Sequence, residues 1–393
     1  MKTHAVVLGA RFGGLAITSW LRRLYPAEEL DITVVDRWQD AVYRPGLVHA
    51  MDQPGLNVAK KVTMPLSSHW KKLRITPIQD IIVQIDPDQQ KVYTATLPPI
   101  SYDVLFMATG TEPGWDRIAG LSPRRGGVCE AYQARHTAWQ RQSWSQGHFV
   151  FAAGPIIGSP QWEPKISVGC ECPLLESAFL FERWLVKQQL RTKTQISVMT
   201  AGSSLAENSS PRVRQQLTRL MAQRNITVYT NVQFERVTDH DIFIKGERVP
   251  YDRSVWIAPM KGPSWLTNTK LDDGYGWIPT SNYMNHVRYP NIYAVGDGTS
   301  HPWPKMGHSA MVQSRVAVHH WLAKQKHKKL PAPFHPYLVW MLETGDSHSL
   351  FSITNMFYGG TTDILYHGLW PAWIKRAFQR SYVWTHGSLP IMP

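Results

Sequence analysis

The pattern of apolar and polar positions at the start of the chain predicts a buried strand followed by a helix. Val6, Val7 and Leu8 form an apolar run that ends in a glycine turn, and the turn opens a predicted helix. Further apolar runs at 32–35 and 104–107 predict two more strands of the same kind. Continuous apolar runs are typical of strands buried on both faces of a parallel sheet, so the first part of the chain is predicted to be α/β.

The glycine turn has the composition of a phosphate-binding turn. Gly9, Gly13 and Gly14 surround Arg11, which stands where the G-x-G-x-x-G pattern has its middle glycine. Backbone amides at a helix start can face a pyrophosphate, and an acidic residue after the next strand, here Asp36, can hold an adenosine ribose. The pattern predicts a dinucleotide site, against the alternative of a strand and a helix that only pack closely.

Three later segments favour a flavin dinucleotide. The strand that ends at Thr109 and Gly110 offers small residues beside which a cofactor can run. Asp297 follows an apolar strand and Gly296, where its carboxylate can accept hydrogen bonds from the ribityl hydroxyls of a flavin. Arg44 follows the second strand closely and is predicted to lie near the isoalloxazine ring.

Composition excludes several classes of protein. The 393 residues contain three cysteines without framework spacing, which argues against a disulfide-stapled secreted fold. The 42 lysines and arginines exceed the 29 acidic residues and give a net charge of +13, which favours an anionic partner. No nucleic-acid-binding module accompanies that charge, so nucleic acid is not expected. We also expect no cleavable signal peptide, no membrane-spanning helix and no metal site.

A second unit of alternating strands and helices follows, without the glycine fingerprint that a second nucleotide needs. From Ala152 to Pro160 the chain carries two prolines, which prevent a helix from starting in register, so NADH is not the expected donor. NADH held by other contacts is the alternative. Cys170 and Cys172 come next, immediately before a predicted helix. A thiol before a helix start gains from the helix dipole, which predicts a stabilised thiolate.

Taken in order, these segments resemble those of two-dinucleotide-domain flavoproteins, above all the family of sulfide:quinone oxidoreductases and flavocytochrome c sulfide dehydrogenases. The resemblance covers nearly the whole chain. The archaeal-type branch fits best, since its first turn tolerates an arginine at the position of Arg11. The resemblance implies FAD as cofactor and an α/β fold with two Rossmann-like domains of the glutathione-reductase type.

The resemblance also implies a sulfur relay. Cys170, by its spacing to Glu176, is the counterpart of the family's redox cysteine, and Cys129 lies in a segment like the family's other cysteine region. Glu176 would handle protons beside the thiol, against the alternative of an ordinary first-turn glutamate. His136 lies near Cys129 in sequence, with an exposed surface histidine as its alternative.

The chain departs from the family at one position. Archaeal members take the bridge partner of the Cys170 counterpart from the C-terminal third, and the match places Trp340 where that cysteine stands. Either Cys172 or Cys129 supplies the second sulfur, or the site does different chemistry, or the sulfide activity is lost. A bridge from Cys170 to Cys172 would close a small strained ring, and strained disulfides are easily reduced.

The electron-acceptor side is predicted after Asp297. As in the family, Lys305 would place a positive charge at the pyrimidine edge of the flavin, against the alternative of a surface lysine. Phe351, Phe357 and Tyr358 are candidates to line a quinone channel, because aromatic faces stack on a quinone ring. Their alternative is the filling of a small C-terminal core.

The end of the chain predicts an amphipathic helix. Its apolar residues share one face at helical spacing, and they are Trp370, Trp373, Ile374, Ala377 and Phe378. Indole rings with cationic neighbours suit a helix that lies in the headgroup layer of a membrane. The alternative is a helix that docks on the protein's own core.

We therefore expect a peripheral membrane flavoprotein that oxidises sulfide, or a related sulfur donor, and passes two electrons to a membrane quinone. The alternatives are a type II NADH:quinone oxidoreductase, a flavoprotein with a haem partner, or an FAD-binding member without the sulfur relay. Homo-oligomers and the side of the membrane stay open. The expected divisions are 1–110 and 266–330 for the FAD-binding domain, 111–265 for the second Rossmann-like domain with the redox cysteines, and 331–393 for the quinone- and membrane-binding region.

Overall fold

The structure is a computed structural model that describes residues 2–53, 56–267 and 269–388. The first elements are β1 (Thr3–Leu8), α1 (Phe12–Leu24), β2 (Leu30–Asp36), β3 (Asp40–Val42), a 3-10 helix (Arg44–Met51), α2 (Leu56–Val62), β4 (Thr63–Pro65), α3 (Ser67–Leu73), β5 (Thr76–Gln79), β6 (Ile82–Asp86), β7 (Lys91–Thr94), β8 (Ile100–Ser101), β9 (Val104–Met107) and β10 (Glu112–Pro113).

The middle of the chain contains α4 (Ala131–Arg141), β11 (Gly147–Ala153), α5 (Cys172–Lys187), β12 (Thr194–Thr200), α6 (Pro211–Gln223), β13 (Ile226–Tyr229), β14 (Phe234–Val237), β15 (Asp241–Ile244), β16 (Glu247–Pro250), β17 (Arg253–Ile257) and β18 (Met260–Lys261). The last elements are β19 (Ile292–Ala294), α7 (Gly307–Gln325), β20 (Leu338–Glu343), β21 (Ser349–Thr354), β22 (Asp363–Gly368) and α8 (Trp370–Trp384).

The first sheet is parallel throughout and has the strand order β19-β9-β1-β2-β5. Val7 of β1 lies opposite Val34 of β2 and Phe106 of β9, and all three side chains are buried. Because β19 comes from the last third of the chain, the polypeptide leaves this sheet after β9 and returns to it, as the sequence pattern predicts.

The glycine turn brings α1 against the first sheet. A Cβ atom on Gly14 would lie 1.8 Å from the carbonyl oxygen of Gly9, so only glycine fits this crossing. Gly9 itself has a φ of +96°, which favours glycine as well. Helix α7 packs beside α1, and the Ser314 hydroxyl donates a hydrogen bond to the Gly13 carbonyl oxygen at 3.0 Å. The starts of both helices therefore meet at the carboxyl edge of the sheet.

The second sheet is also parallel, with the order β13-β12-β11-β17. Alternate residues of β11 pack on opposite faces of this sheet. On one face, Phe149 and Phe151 pack in the cluster that contains Phe181 of α5. Val150 instead packs with Trp256 of β17 on the side of the small antiparallel sheet β14-β15-β16. Helix α5, which begins with a cysteine, is thus fixed to the sheet by aromatic packing.

Five antiparallel sheets were not predicted from the sequence: the two-stranded β3-β4 and β10-β18, and the three-stranded β6-β7-β8, β14-β15-β16 and β20-β21-β22. The last of these fills much of the C-terminal region, where only a helix was expected. Its first strand buries Leu338, Trp340 and Leu342 in alternation with less buried neighbours, a period of two that the surrounding prolines and aromatic residues obscure. Among residues 2–53, 56–267 and 269–388, every helix is too short or too polar to cross a membrane.

We predict that Gly14→Ala destroys the turn between β1 and α1. The added methyl group has no space against the Gly9 carbonyl, so the turn must move and the helix start with it. The purified variant should retain little bound flavin and should melt at a lower temperature. Ala16→Gly is the control, because it costs about 1 kcal/mol of helix propensity and leaves the turn intact. A normal flavin content in Gly14→Ala would contradict this account.

Candidate functional site

The first half of the cofactor site lies where β1 and β2 end. Helix α1 begins without a side-chain cap, so the amides of its first turn are directed outward from the glycine turn. The Asp36 carboxylate borders that turn, because it accepts hydrogen bonds from the Ala10 and Trp38 amides at 2.7 and 2.8 Å. Burial raises the pKa of Asp36, and these two amides oppose the shift.

The second half of the site is formed by Gly296, Asp297 and the start of α7. Gly296 has a φ of +78°, and its amide donates to the Gln313 side chain at 2.6 Å, which fixes the turn on α7. Burial raises the pKa of Asp297, while the charges of Lys305 and Arg44 lower it. The two predicted cations therefore lie within electrostatic range of this carboxylate.

Four buried polar atoms in these segments have no hydrogen-bond partner within the described part of the chain. They are Arg44 Nε, Thr109 Oγ1, His308 Nδ1 and Ser309 Oγ. Buried polar groups are normally paired, so unpaired donors and acceptors at the edge of one sheet mark a place for a polar ligand. With two uncapped helix starts and two carboxylates beside them, these residues fit FAD.

Arg11 is held away from the glycine turn that it interrupts. Its guanidinium donates to both Glu130 oxygens, at 3.1 and 2.9 Å, and Arg44 pairs with the same carboxylate. Two guanidinium groups around one carboxylate leave a net positive charge at the start of α1, where Arg11 immediately precedes the helix. The sequence predicted no role for Glu130, although it adjoins Cys129.

Three half-buried free thiols lie at or before the starts of α4 and α5, and Cys170 is the one within electrostatic range of Asp297. Cys172 is the first residue of α5, Cys170 lies two residues before it, and Cys129 precedes α4. Burial raises the pKa of Cys170 to about 12, and the charges of Asp297 and Cys129 add to the shift. The structure thus brings Cys170 within electrostatic range of both another predicted cysteine and the flavin turn.

The prediction that the start of the helix makes Cys170 a thiolate is wrong for this structure. The Cys172 amide at the first turn of α5 does lower the pKa of Cys170, but burial outweighs it. Burial likewise raises the pKa of Cys129 to about 11 and raises that of Cys172. Burial therefore disfavours the thiolate form of all three cysteines.

A loop of residues 154–171, which we call the cysteine loop, stands where a nucleotide-binding helix would begin. Strand β11 ends at Ala153, and the next helix begins only at Cys172, which confirms that the prolines prevent an earlier helix. Trp162 turns back onto Gly158, where an added Cβ would meet the indole at 2.6 Å. The backbone amides of this loop are not gathered at a helix start.

Two buried glutamates fasten the cysteine loop to the loop after β12. Glu171 accepts a hydrogen bond from the Ala206 amide at 2.6 Å and another from the Thr200 hydroxyl. Glu207 accepts from the Val168 amide at 3.0 Å on one oxygen and from the Ser203 amide at 3.0 Å on the other. These carboxylates occupy the carboxyl edge of the second sheet, where a second dinucleotide would otherwise bind.

Glu176 belongs to a larger group that we call the buried ion-pair cluster. Its members are Glu176, Lys375, Glu343, His49, Asp52 and Arg183. Lys375 pairs with Glu176, and the Glu343 amide donates to the same carboxylate at 3.2 Å. His49 lies 3.5 Å from Glu343 and 3.1 Å from Asp52. Glu176 is therefore not an ordinary exposed first-turn glutamate.

Lys305 is buried, which rules out a surface lysine. Its ammonium donates to the Thr299 carbonyl oxygen at 2.9 Å and lies 5.0 Å from the ring centres of both Trp162 and Trp277. Burial lowers the pKa of Lys305 to about 7, and the charge of Asp297 opposes the shift. Lys305 thus lies where a small change in its surroundings alters its charge.

The remaining predicted residues fall in separate places. His136 is exposed on α4 and stacks on Trp139, with no described hydrogen bond to the thiols. Phe357 and Tyr358 adjoin each other, and the Tyr358 hydroxyl donates to the Pro302 carbonyl oxygen at 3.2 Å. Phe351 lies apart from them.

Helix α8 presents its apolar residues to solvent. Trp373, Ile374 and Phe378 are 68%, 45% and 38% exposed. Trp370 differs, because it is half-buried against Phe351, with ring centres 5.4 Å apart. The opposite side of α8 docks on the protein through buried residues that include Pro371, Ala372, Lys375 and Tyr382.

Models of known protein families match residues 3–318 to the family described as pyridine nucleotide-disulphide oxidoreductase. The chain belongs to this family. The match spans both parallel sheets and the return of the chain to the first one. The chain is therefore an FAD-binding oxidoreductase, which confirms the predicted cofactor and the predicted enzyme class.

The chain is similar to sulfide:quinone oxidoreductases, which confirms the resemblance. It is 24% identical over 411 residues to the sulfide-quinone reductase of Aquifex aeolicus, covering 98% of this chain and 91% of the relative. It is 24% identical over 336 residues to the mitochondrial enzyme of Mus musculus, covering 80% and 70%. The X-ray structure of the Aquifex aeolicus enzyme has the same fold, with a TM-score of 0.85 at 21% identity over 98% and 92% of the two chains.

Sequence reasoning missed several residues of this oxidoreductase site. Lys375, Glu343 and His49 contact one another only through the fold, and nothing in their local sequence predicts burial. The role of Glu171 could have been predicted from the sequence, because it lies between two cysteines at a helix start. A charged residue in such a place is either exposed or paired with a polar group.

We predict that Glu171→Gln removes a pH-dependent loss of stability. Burial raises the pKa of Glu171 from 4.5 to about 7, although the Thr200 hydroxyl and the Ala206 amide oppose the shift. A carboxyl with a raised folded-state pKa contributes stability below its unfolded pKa and loses it as pH rises through about 7. The difference corresponds to roughly 3 kcal/mol.

The melting temperature of the wild type relative to Glu171→Gln should therefore fall between pH 5 and pH 8, by the same linkage. Glu163→Gln, which changes an exposed glutamate, should follow the wild type at every pH. Parallel curves for wild type and Glu171→Gln would contradict the assignment.

Proposed function

We propose that the chain oxidises sulfide, or a related small sulfur donor, at its cysteine thiols and delivers two electrons to a membrane quinone. The observation that carries the proposal is the position of Cys170. It lies in the cysteine loop within electrostatic range of Asp297 and Cys129, in the space that a nucleotide helix would need. The named activities of the relatives support the same reaction.

The overall reaction balances as hydrogen sulfide plus quinone giving zero-valent sulfur plus quinol. Sulfide loses two electrons, and the quinone gains two electrons and two protons. FAD, when bound, supplies a group that accepts and releases electron pairs. The chain's own residues hold that group, namely Gly9, Arg11, Gly13, Gly14, Asp36, Arg44, Thr109, Gly110, Gly296, Asp297 and Lys305.

The sulfur step requires a disulfide that includes Cys170. Hydrosulfide attacks the bridge, forms a persulfide on one cysteine and releases the other as a thiolate. Trp340 is buried in β20 opposite Ser352 and offers no sulfur. The partner is therefore Cys172, whose amide faces the Cys170 sulfur, or Cys129, whose charge acts on it.

Glu176 is the base that we assign to the thiol side. Because burial keeps the thiols protonated, the proton must move to a nearby acceptor before each sulfur can attack. The charges of Glu176 and Glu171 both act on Cys172, but the oxygens of Glu171 already bind Thr200 and Ala206. Burial raises the pKa of Glu176 although the charge of Lys375 opposes the shift, so this carboxylate can accept a proton from the thiol and release it again.

The quinone side is assigned to the C-terminal region. Phe351 contacts Trp370 at the start of α8, and Phe357 packs on the cluster that contains Trp277, beside Lys305. A channel between these aromatic rings would join the exposed apolar face of α8 to the lysine. We infer that this face lies in the headgroup layer of a membrane.

Anaerobic mixing with sulfide should bleach the visible absorbance of the bound flavin, whereas NADH should leave it unchanged. The reason is that thiols, and not a nucleotide-binding helix, adjoin the Asp297 turn. Bleaching by NADH alone would support the type II NADH dehydrogenase alternative. Bleaching by neither donor would support a member without the sulfur relay. Either result contradicts the proposal.

Cys170→Ser should slow bleaching by sulfide roughly 1000-fold or more, the scale on which loss of a catalytic nucleophile acts, while flavin stays bound. Cys172→Ser and Cys129→Ser identify the bridge partner, since only the partner's loss should match that effect. His136→Ala is the control, because His136 is exposed on α4.

Binding to vesicles of anionic phospholipid tests the role of α8. The variant Trp373→Glu/Phe378→Glu places charge on the exposed apolar face and should weaken co-sedimentation with vesicles by roughly tenfold or more. Trp139→Glu is a matched control, because Trp139 on α4 is also 68% exposed. Equal binding by both variants and wild type would show that α8 is not the membrane contact.

A further inference from the structure

Among the charged side chains that the structure describes on α8, only that of Lys375 points into the protein interior. It is 7% exposed, whereas Arg376 and Arg380 on the same helix are exposed. Lysine is rarely buried to this degree without a partner. Helix α8 thus exposes several apolar side chains to solvent and buries one charged side chain. An amphipathic helix that only covers a core buries its apolar side chains and exposes its charged ones.

The partner of Lys375 lies on the helix that begins with a thiol. Glu176 is in the second turn of α5, whose first residue is Cys172. The Glu176 carboxylate accepts from both the Lys375 ammonium and the Glu343 amide. One carboxylate therefore joins three elements, namely α5, β20 and α8.

Charges in the buried ion-pair cluster balance. Burial alone would lower the pKa of His49, but the hydrogen bond to Asp52 at 3.1 Å and the Glu343 carboxylate at 3.5 Å outweigh it and raise the pKa to about 9, so the imidazole is charged at neutral pH. Lys375, His49 and Arg183 then oppose three carboxylates, with Arg376 at the edge 3.6 Å from Glu343. Removal of one partner leaves an uncompensated buried charge, which is strongly destabilising.

The electrostatics of Cys172 connect the cluster to the sulfur site. The charges of Cys170, Glu176 and Glu171 raise the pKa of Cys172, and that of Lys375 lowers it. Lys375 is the cation from α8 that reaches this thiol. The lipid-facing helix thus acts on the start of α5 through one side chain.

We propose that Lys375 is a positioning residue of the thiol site: its ion pair with Glu176 latches α8 to the second turn of α5, so that the half-buried thiols of Cys170 and Cys172 keep their limited exposure only while α8 is docked. The inference rests on the proposed function, since it takes these thiols as the reacting groups. It adds a physical connection between the exposed face of α8 and the sulfur chemistry.

Thiol alkylation in the FAD-loaded protein tests the latch. Lys375→Met leaves Glu176 unpaired, so α8 should detach and expose the start of α5. Exposure removes the burial that raises the thiol pKa values, and alkylation of Cys172 and Cys170 by iodoacetamide should accelerate roughly tenfold for each unit by which the pKa falls. Mass spectrometry of the peptides measures both rates. Arg380→Met, which removes an exposed charge from α8, should behave as wild type.

The variant Lys375→Met/Glu176→Gln distinguishes the latch from a general loss of packing. It removes both charges and keeps an oxygen that can accept from the Glu343 amide, so it should restore slow alkylation, and the thiol pKa values read from the pH profile of alkylation, which do not depend on the group that accepts the proton, should return to those of the wild type. The acceleration in Lys375→Met should also grow from pH 6 to pH 9 beyond that of thiol ionisation alone, because only an ionised Glu176 opposes docking.

Wild-type rates in Lys375→Met would overturn the proposal. If that variant loses its flavin, the double variant decides: recovery of flavin and of slow alkylation supports the latch, and failure to recover overturns it. Alkylation needs neither sulfide nor quinone. A wild type whose flavin is not reduced by sulfide would therefore overturn the proposed function while leaving this test intact.

Discussion

The sulfur chemistry that we propose depends on two buried carboxylates that hold a loop in place of a helix. Glu171 and Glu207 accept backbone amides and a hydroxyl from both sides of the carboxyl edge of the second sheet. In a two-dinucleotide fold this edge would receive the second nucleotide. Here the tied loop fills it and ends at Cys170, beside Asp297 of the flavin turn. The fold remains that of a disulphide oxidoreductase, while a pair of thiols stands at the entrance of its second site.

Burial determines the protonation of those thiols. A thiol at a helix start is favoured as a thiolate in water, but here desolvation outweighs the amides of α5 and keeps Cys170 and Cys172 protonated. The same desolvation strengthens the interaction between nearby charges, so that an unpaired buried charge would be costly. Glu176 is accordingly paired with Lys375, and this pair belongs to the buried ion-pair cluster, in which positive and negative charges balance. In the mechanism that we propose, proton handling, thiol reactivity and docking of α8 share one set of side chains. An isolated change at any of them should affect all three.

Local sequence patterns predicted most of the first sheet and its glycine turn. Gly9, Gly14 and Asp36 were found because strand, turn and helix signals adjoin them in sequence, and the prolines after Ala153 predicted the missing helix for the same reason. The sheet β20-β21-β22 was missed because its alternation lies among aromatic and proline residues. The pairs Arg11–Glu130 and Glu176–Lys375 join residues more than 100 positions apart, and no local pattern encodes them. The ionisation of Cys170 was predicted wrongly because burial is a property of the assembled fold.

A crystal structure of the FAD-loaded protein tests the central claim most directly, by locating the Cys170 sulfur relative to the isoalloxazine ring. The account predicts that Cys170 Sγ lies in van der Waals contact with the ring, within about 4 Å, with Glu171 still bound to the loop after β12. A structure in which Cys129, Cys170 and Cys172 all lie remote from the ring, or in which a nucleotide displaces the cysteine loop, would contradict it.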